Sequence, residues 1–172
     1  MANCRGALEA YKIDGACHAC NPRVVLEVAT PYSKNRRTVT IIDTDVPGGS
    51  GVGLVAMVEV VALMIGRVRQ CYSEYRYDDP EPVRPGLFVA RGQPKSLFEP
   101  GSSTVVVLFQ RGRVRWVDDL LINQRRPARS RYSLVLGQPL IETDAQVRSL
   151  LAWPASSAIS KPLASAVSSP SC

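Results

Sequence analysis

Short runs of β-branched and apolar residues, separated by turn-forming residues, recur along the chain. The segment 37–46 (RTVTIIDTDV) alternates β-branched with polar residues, which predicts a half-buried strand followed by a turn at 46–51 (VPGGSG). Comparable runs predict further strands at 23–29, 86–92, 103–109, 113–122 and 132–143. Many short strands with little helical periodicity favour a mainly β fold, a sandwich or barrel-sandwich-like domain of antiparallel strands with few or no helices.

The segment 52–68 is too apolar for an amphipathic helix. We interpret it as one or two strands buried on both faces, with Gly66 at a bend, while a buried helix stays open as the alternative. Its most apolar part, 52–65, contains Glu59 and is too short to span a membrane as a helix.

Length and composition predict one domain with a tail. The 172 residues suit a single hydrophobic core, and we assign residues 1–153 to the β domain. Residues 154–172 are rich in Ser, Ala and Pro, which predicts a disordered tail. The N-terminal stretch lacks the apolar core of a signal peptide. We therefore expect a soluble or peripheral protein, with its compartment and any homo-oligomer left open.

The net charge of +6 favours an anionic partner. Arginines are frequent from Arg111 to Arg131, close to Trp116 and Tyr132. A solvated sheet face explains them, and peripheral contact with anionic lipid headgroups is the sharper alternative. The sequence contains no recognisable nucleic-acid-binding module, so we predict no nucleic-acid partner.

The CHAC stretch from Cys17 to Cys20 has the spacing of a redox motif or of half a zinc site. Structural zinc needs a second ligand pair, and His18 is the single histidine of the chain. We therefore predict no metal site. The absence of a Gly-x-Ser-x-Gly motif likewise argues against a Ser-His-Asp hydrolase.

The step Gly101-Ser102-Ser103 stands directly before a valine-rich strand. It is an ordinary turn sequence, but it also permits chemistry on the chain itself. A serine hydroxyl beside a strained peptide can attack the preceding carbonyl and convert the amide into an ester, and glycine favours this because it admits strained φ/ψ angles. Elimination then cuts the chain and leaves a dehydroalanine, which hydrolyses to a pyruvoyl group.

The stretch 91–109 (RGQPKSLFEPGSSTVVVLF) resembles the C-terminal signature of the phosphatidylserine decarboxylase family. The residues that fill the family's places are Arg91-Gly92, Phe98, Gly101-Ser102 and Phe109. Further similarities follow in the family's order at 11–22, 33–45, 58–68 and 134–140, with Val61 where the family usually has Gly. The resemblance covers residues 6–142.

This resemblance implies a pyruvoyl-dependent carboxy-lyase of phospholipid biosynthesis, made as a zymogen and matured by autocatalytic cleavage. A cut at Gly101–Ser102 would yield a β chain of residues 1–101 and an α chain of residues 102–172, with the pyruvoyl cofactor derived from Ser102. The substrate would be phosphatidylserine, converted to phosphatidylethanolamine and CO₂, or a soluble amino acid. Its amine would join the pyruvoyl carbonyl as an imine, and Arg111, Arg113 or Arg115 would meet the phosphate.

Two departures from the family bear on this prediction. Counting forward from Phe98 makes Ser102 the residue after the cut, whereas counting back from Phe109 favours Ser103. Because glycine precedes Ser102, we choose Ser102, with Ser103 as the alternative. The family's Asp-Tyr-His-Arg and His-x-Pro segment, which assists self-cleavage, has no counterpart in this sequence.

The chain is thus either part of a longer protein or a family member without its base, and we expect Ser102 to be processed slowly or not at all. The alternative function is that of a truncated, non-catalytic remnant that acts as a binding domain.

Overall fold

The computed structural model of the chain describes residues 5–17, 31–62, 66–73, 84–100, 102–125 and 143–155. The predicted strand at 23–29, the segment 132–142 and residues 156–172 of the predicted tail lie outside the described residues. The strands of the described ranges are β1 (Arg5–Ile13), β2 (Arg37–Asp43), β3 (Leu54–Val61), β4 (Val68–Gln70), β5 (Leu87–Ala90), β6 (Ser96–Phe98), β7 (Ser102–Phe109), β8 (Val114–Trp116) and β9 (Ala152–Pro154). The helices are α1 (Pro31–Lys34) and α2 (Asp118–Arg125).

A five-stranded antiparallel sheet in the order β5–β1–β2–β3–β7 forms the larger layer. Strand β2 lies in its centre, and the alternation of its sequence appears as alternating burial, with Thr38 and Thr40 buried. Two further sheets have two strands each, β4 with β6 and β8 with β9. The prediction of a mainly β, sandwich-like fold of antiparallel strands is confirmed, and the described strands form open sheets.

The β4–β6 pair covers one face of the large sheet. Residues directly opposite each other in antiparallel strands point to the same face, so Thr38 and Glu59 lie on one face, as do Thr40 and Met57. The Tyr72 hydroxyl, just after β4, lies 3.3 Å from the Thr40 hydroxyl. Side chains of β4 and β6 also contact Glu59, which places the second layer against this face.

The opposite face of the sheet carries apolar side chains that are about half exposed. They come from β1, β3, β5 and β7, and they are Tyr11, Leu54, Phe88 and Leu108. On the face beneath β4 and β6, Glu59, Thr38 and Thr40 are buried, whereas Val105 and Val107 of β7, on the same face, are 40% and 44% exposed.

Several elements differ from the sequence prediction. The segment 52–68 forms strands on both sides of Gly66, as predicted, but β3 is not buried on both faces at its start, because Leu54 points to the open face. The predicted strand at 113–122 is a strand only over β8. It continues as helix α2, whose first turn contains Asp118 and Asp119, a favourable position for acidic residues.

Pro154, the first residue of the predicted tail, belongs to β9 and pairs with Val114. Within the described ranges, no helix has the length and apolar character needed to cross a bilayer.

Candidate active site

Ser102 is the first residue of β7, and the pairing between β3 and β7 changes register there. The pairs are regular from Val55 with Phe109 to Val60 with Thr104, so continued pairing would place Ser103 opposite Val61. Instead Val61 pairs with Ser102. Strand β7 therefore carries one extra residue, Ser103, in a β-bulge at its N-terminal end.

The bulge accounts for the two conflicting counts along the sequence. Counting back from Phe109 follows the regular ladder and arrives at Ser103, whereas counting forward from Phe98 arrives at Ser102. A single inserted residue that the ladder leaves out reconciles both counts. Gly101 lies outside the described residues. The backbone of Ser102 is placed at the end of β3 by its pairing with Val61.

Val61, the partner of Ser102, is fixed by the chain that leads into β2. Its N–H donates to the Arg36 carbonyl at 2.9 Å, and its carbonyl accepts from the Asn35 side-chain amide at 2.8 Å. Asn35 is fully buried, so this second hydrogen bond is shielded from water. Because both backbone polar groups of Val61 are bonded, the β3 side of the bulge is held in place.

The residues before Ser102 are anchored on the second layer. Phe98 pairs with Val68, and the Glu99 N–H donates to the Arg67 carbonyl at 2.9 Å. Two residues, Pro100 and Gly101, then connect this anchor to Ser102. The Gly101–Ser102 step thus lies between two anchored points, Glu99 on the second layer and the Ser102 pairing with Val61 on the large sheet.

A buried charged group, the Glu59 cluster (Glu59, Gln70, Lys95 and Ser96), joins the same elements. The Glu59 side chain is fully buried and forms an ion pair with the Lys95 ammonium at 2.7 Å. Its carboxylate also accepts from the Gln70 amide at 2.8 Å and from the Ser96 hydroxyl. The Lys95 ammonium donates as well to the Gln70 side-chain oxygen at 3.1 Å. A buried carboxylate is tolerated only with such partners, and here they come from β4 and from β6 with the residue before it.

The Tyr72 ring packs against Lys95 of the Glu59 cluster. The Lys95 ammonium lies 5.4 Å from the centre of its ring, within the range of a cation–π contact. Burial, opposed by the hydrogen bond with Thr40 and reinforced by the Glu59 charge, raises the pKa of Tyr72 to about 12. Burial also lowers the pKa of Lys95, although the Glu59 carboxylate opposes that shift. The two side chains thus pack as a neutral phenol beneath a paired ammonium.

The geometry gives the Glu59 cluster a positioning role. The Glu59 carboxylate is occupied by donors from three side chains, so it holds β3 against β4 and β6 instead of presenting a free base. Strand β3 ends at the partner of Ser102, and β6 leads into the Gly101–Ser102 step. The cluster therefore holds β3 and β6 together, and these two strands support the Gly101–Ser102 step from either side.

Other residues singled out in the sequence lie elsewhere. Cys17 is half-buried and free, while His18 and Cys20 lie outside the described residues. Among the described residues, no group of three or more His, Cys, Asp or Glu side chains is placed to hold a metal ion. Arg113 forms an ion pair with Asp45, beyond the C-terminal end of β7. That end is about 24 Å from Ser102 along an extended strand of this length, so the structure does not bring this arginine to the serines.

The sequence did not point to the residues that bond Val61 or that form and border the Glu59 cluster, namely Asn35, Glu59, Gln70, Tyr72 and Lys95. One signal was visible: Glu59 interrupts an otherwise apolar segment, and a charge in such a position is retained only with buried partners. Its partners come from segments 11 to 37 residues away, and the sequence does not show that they meet.

Comparison with known proteins identifies the family. The family model described as phosphatidylserine decarboxylase matches residues 2–141. The chain belongs to the phosphatidylserine decarboxylase family. The match includes the Gly101–Ser102 step, both strands that support it and the whole Glu59 cluster.

Individual relatives agree with this assignment. The chain is 30% identical over 128 residues to the phosphatidylserine decarboxylase proenzyme of Chlamydia pneumoniae, covering 74% of this chain and 36% of that protein. It is 31% identical over 129 residues to the same-named protein of Chlamydia felis, covering 74% and 37%. The corresponding protein of Bordetella petrii is 31% identical over 127 residues, covering 67% and 41%. No solved structure matches the chain.

The chain spans little more than a third of the length of these chlamydial relatives. The matched region contains the Gly101–Ser102 step. The chain therefore corresponds to one phosphatidylserine decarboxylase-like portion of these longer relatives.

Proposed function

We propose that the chain is the pyruvoyl-forming portion of a phosphatidylserine decarboxylase and that it breaks its own backbone between Gly101 and Ser102. The observation that carries this proposal is the β-bulge, which leaves Ser102 opposite Val61, three residues after the anchored Glu99. Family membership supports self-processing as the purpose of this step, since the relatives are named as proenzymes.

The self-cleavage can be written with all atoms balanced. The Ser102 hydroxyl oxygen attacks the Gly101 carbonyl carbon, and the amide becomes an ester while the Ser102 nitrogen takes up the proton. The Ser102 Cα then loses a proton as its Cβ–Oγ bond breaks, and residues 1–101 leave with a C-terminal carboxylate. Water enters the resulting dehydroalanine and ammonia departs, which leaves a pyruvoyl group at residue 102.

The described surroundings fit a pyruvoyl group at this position. Val61, the backbone partner of Ser102, and the Ala62 that follows it are both buried and apolar. The bulge adds a residue without breaking the ladder beyond Thr104, so strand β7 can stay in place while its N-terminus changes chemically. Such a carbonyl supplies the electron sink that removes CO₂ from an amine-bearing substrate.

The rate of the first step depends on a base. Among the described residues there is no histidine, and the Glu59 carboxylate is occupied by its cluster. General-base assistance is worth roughly 10²–10⁴-fold in rate. We therefore propose that Ser102 reacts slowly in this chain and that a base from the part of the relatives' length that this chain does not match would accelerate the step.

We propose phosphatidylserine as the substrate, because the relatives are named phosphatidylserine decarboxylase proenzymes. A soluble amino acid with the same amine and carboxylate is the alternative. CO₂ release from phosphatidylserine vesicles, compared with release from free serine, separates the two.

Hydroxylamine provides the test of self-cleavage, because it attacks an ester far faster than an amide. The purified chain is incubated with and without hydroxylamine, and intact masses are recorded. We expect residues 1–101 with a hydroxamate end and residues 102–172. The sequence contains no Asn-Gly bond, the other site that hydroxylamine cuts, so the fragments report the ester alone.

Two matched variants assign the residue. Ser102→Ala should abolish the fragments, and Ser103→Ala should retain them. The reverse pattern would move the site to Ser103. A chain that stays whole under both conditions would overturn self-processing and favour a non-catalytic binding domain.

A further inference from the structure

Residues 111–125 and 143–155 form a small unit after β7, the β8–β9 unit, which contains β8, α2 and β9. Its two strands pair with each other, and the Val117 N–H donates to the Leu151 carbonyl at 3.1 Å just beyond that pairing. The unit follows the C-terminal end of β7, the end away from the candidate active site.

The Trp116 ring shows which face of the β8–β9 pair is turned toward the large sheet. It meets the Phe109 ring of β7 edge to face, with 5.4 Å between the ring centres. Trp116 lies opposite Ala152 in the ladder, so these two residues share the inner face. Because side chains alternate along a strand, their neighbours lie on the outer face, away from Phe109.

The outer face of the β8–β9 unit combines apolar and basic side chains. Trp153 lies opposite Arg115 on this face. The hydrogen bond between Val117 and Leu151 continues the same register, which places Leu151 on the outer face as well. The side chains of Trp153 and Leu151 are 50% and 46% exposed, and Arg115 is exposed. An indole ring and a leucine are thus presented to solvent beside a guanidinium group.

A tight turn at 146–149 leads into this face. The Ser149 N–H donates to the Gln146 carbonyl at 3.0 Å, and Arg148 has a φ of 69°, which is the geometry of a type II turn. Glycine is favoured at that position, because other residues are strained there. The turn nevertheless carries Arg148 beside Val147, whose side chain is 91% exposed. Its tip therefore presents one apolar and one basic side chain together, at a cost in backbone strain.

Exposed apolar side chains are concentrated in the β8–β9 unit. The unit has 28 of the 107 described residues but six of the thirteen large apolar side chains that are exposed among them. Concentrations of this kind mark contact with another protein or with a membrane.

The charge of the segment favours a membrane. Residues 111–155 contain eight arginines and four acidic residues, so they carry +4 of the net charge of +6. Two of the acids, Asp118 and Asp119, lie in the first turn of α2, where the helix dipole offsets part of their charge. An anionic lipid surface attracts such a segment.

Tryptophan and arginine together suit the headgroup region of a bilayer. The indole ring has an apolar body and one N–H donor, and tryptophans accordingly lie where hydrocarbon meets headgroups. Guanidinium groups present paired N–H donors that match the oxygens of a lipid phosphate. The outer face therefore has both the chemistry and the charge that complement anionic lipid.

We propose that the outer face of the β8–β9 unit is a membrane-contact surface. Trp153, Leu151 and the turn tip at Val147 enter the interface of an anionic bilayer, and Arg115 and Arg148 bind the lipid phosphates. This surface is separate from the candidate active site, so its binding to lipid does not depend on self-cleavage or on the substrate.

Intrinsic fluorescence reports on this surface, because both tryptophans of the chain, Trp116 and Trp153, lie in the β8–β9 unit. The whole chain is titrated with vesicles of phosphatidylcholine mixed with phosphatidylglycerol, and with vesicles of phosphatidylcholine alone. Phosphatidylglycerol is anionic but has no amine, so it is not a substrate of the proposed reaction. We expect a blue shift of the emission and co-sedimentation with the anionic vesicles, both weakened by salt. Equal binding to the neutral vesicles would overturn the role of the arginines.

Two chains with a single tryptophan locate the contact. Trp116→Phe leaves Trp153 as the reporter and should retain the blue shift. Trp153→Phe leaves Trp116, which packs against Phe109, and should show a smaller shift. The reverse order would overturn the assignment of the contact to the outer face.

Substitutions give the size of the effect. Trp153→Ser should weaken binding to anionic vesicles roughly tenfold, because the burial of a large apolar side chain is lost. Arg115→Gln should weaken it about fivefold, the share of one basic residue near an anionic surface. Phe88→Ser is the matched control, since Phe88 is 56% exposed but lies on the large sheet, and it should leave the affinity unchanged. Circular dichroism checks that each variant is folded.

The contradicting outcomes are distinct from those of the proposed function. A chain that does not sediment with anionic vesicles at low salt, or a loss in Phe88→Ser as large as in Trp153→Ser, would overturn the membrane contact even if the chain cleaves itself. Self-association without lipid that Trp153→Ser abolishes would also overturn it, because the surface would then bind a second copy. Conversely, an uncut chain that binds the vesicles through Trp153 would support the surface and contradict only the cleavage proposal.

Discussion

The ion pair between Glu59 and Lys95 supports the whole candidate site, and Lys95→Met tests it. The substitution keeps an apolar stem but leaves the fully buried Glu59 carboxylate with donors from Gln70 and Ser96 only. Breaking a buried pair by removing one partner costs about 3–5 kcal/mol. Because 16% of the Lys95 side chain is exposed and two donors remain, we expect a loss near the lower limit, about 3 kcal/mol.

This loss converts into a measurable shift of the melting temperature. In a chain of 150–250 residues, each kcal/mol corresponds to about 2–4 °C. Lys95→Met should therefore lower the melting temperature by about 6–12 °C, as followed by circular dichroism. Urea titration of the same proteins should show a lower midpoint with an unchanged slope, since the surface exposed on unfolding is the same.

A double substitution separates charge from packing. Glu59→Leu combined with Lys95→Met removes both charges, and apolar replacement of a buried pair is often neutral, but the Gln70 amide and the Ser96 hydroxyl lose their acceptor; we therefore expect a cost clearly smaller than the sum of the two single substitutions. Asp14→Asn is the matched control, because it removes the exposed ion pair with Arg36 and should cost less than about 1 kcal/mol. The reasoning fails if Lys95→Met costs no more than Asp14→Asn, or if the double substitution costs as much as the sum of its singles.

Three further predictions follow from the same region. The pKa of Tyr72 is about 12 in the folded chain, against an ordinary value of 10.0, so the unfolded chain releases the phenol proton at lower pH. The free energy of unfolding should therefore fall as the pH rises from 10 to 12. Urea titrations of Tyr72→Phe should show a smaller loss over the same range. Deletion of Ser103 should restore a regular ladder with Ser102 opposite Val61, leaving the melting temperature equal or higher, whereas a drop of several degrees would argue against the bulge. Asn35→Ala should cost about 1–3 kcal/mol in urea titration, because the Val61 carbonyl loses a buried donor; a cost below about 0.5 kcal/mol would contradict that role.

Local patterns in the sequence predicted some of the strands that lie in regular ladders. Strand β2 was visible because its alternation matches a sheet with one covered face, and β7 because its run of valines is too short for a helix. Strand β1 was missed, although Leu8 to Ile13 carries apolar residues among polar ones. Helix α2 was missed because its apolar residues continue the alternation of β8, while the acidic pair at its start is a weaker signal.

The candidate site divides in the same way. The choice of Gly101 and Ser102 came from the resemblance of the stretch 91–109 to the family signature, and it stays a prediction. The Glu59 cluster could not be predicted from the sequence, because it joins side chains from three segments that only the fold brings together. The bulge was predictable in part. The counts from Phe98 and from Phe109 differ by one residue in the sequence, and the pairing of Val61 with Ser102 shows that β7 accommodates this residue at its N-terminal end.

The central claim is that Ser102 becomes a pyruvoyl group when the chain cuts itself. Intact-mass spectrometry of the purified chain after prolonged incubation tests it most directly. The account predicts two products, residues 1–101 with a free carboxylate and residues 102–172 with a pyruvoyl group in place of Ser102, both absent in Ser102→Ala. A single chain of 18.7 kDa at every time point would contradict it.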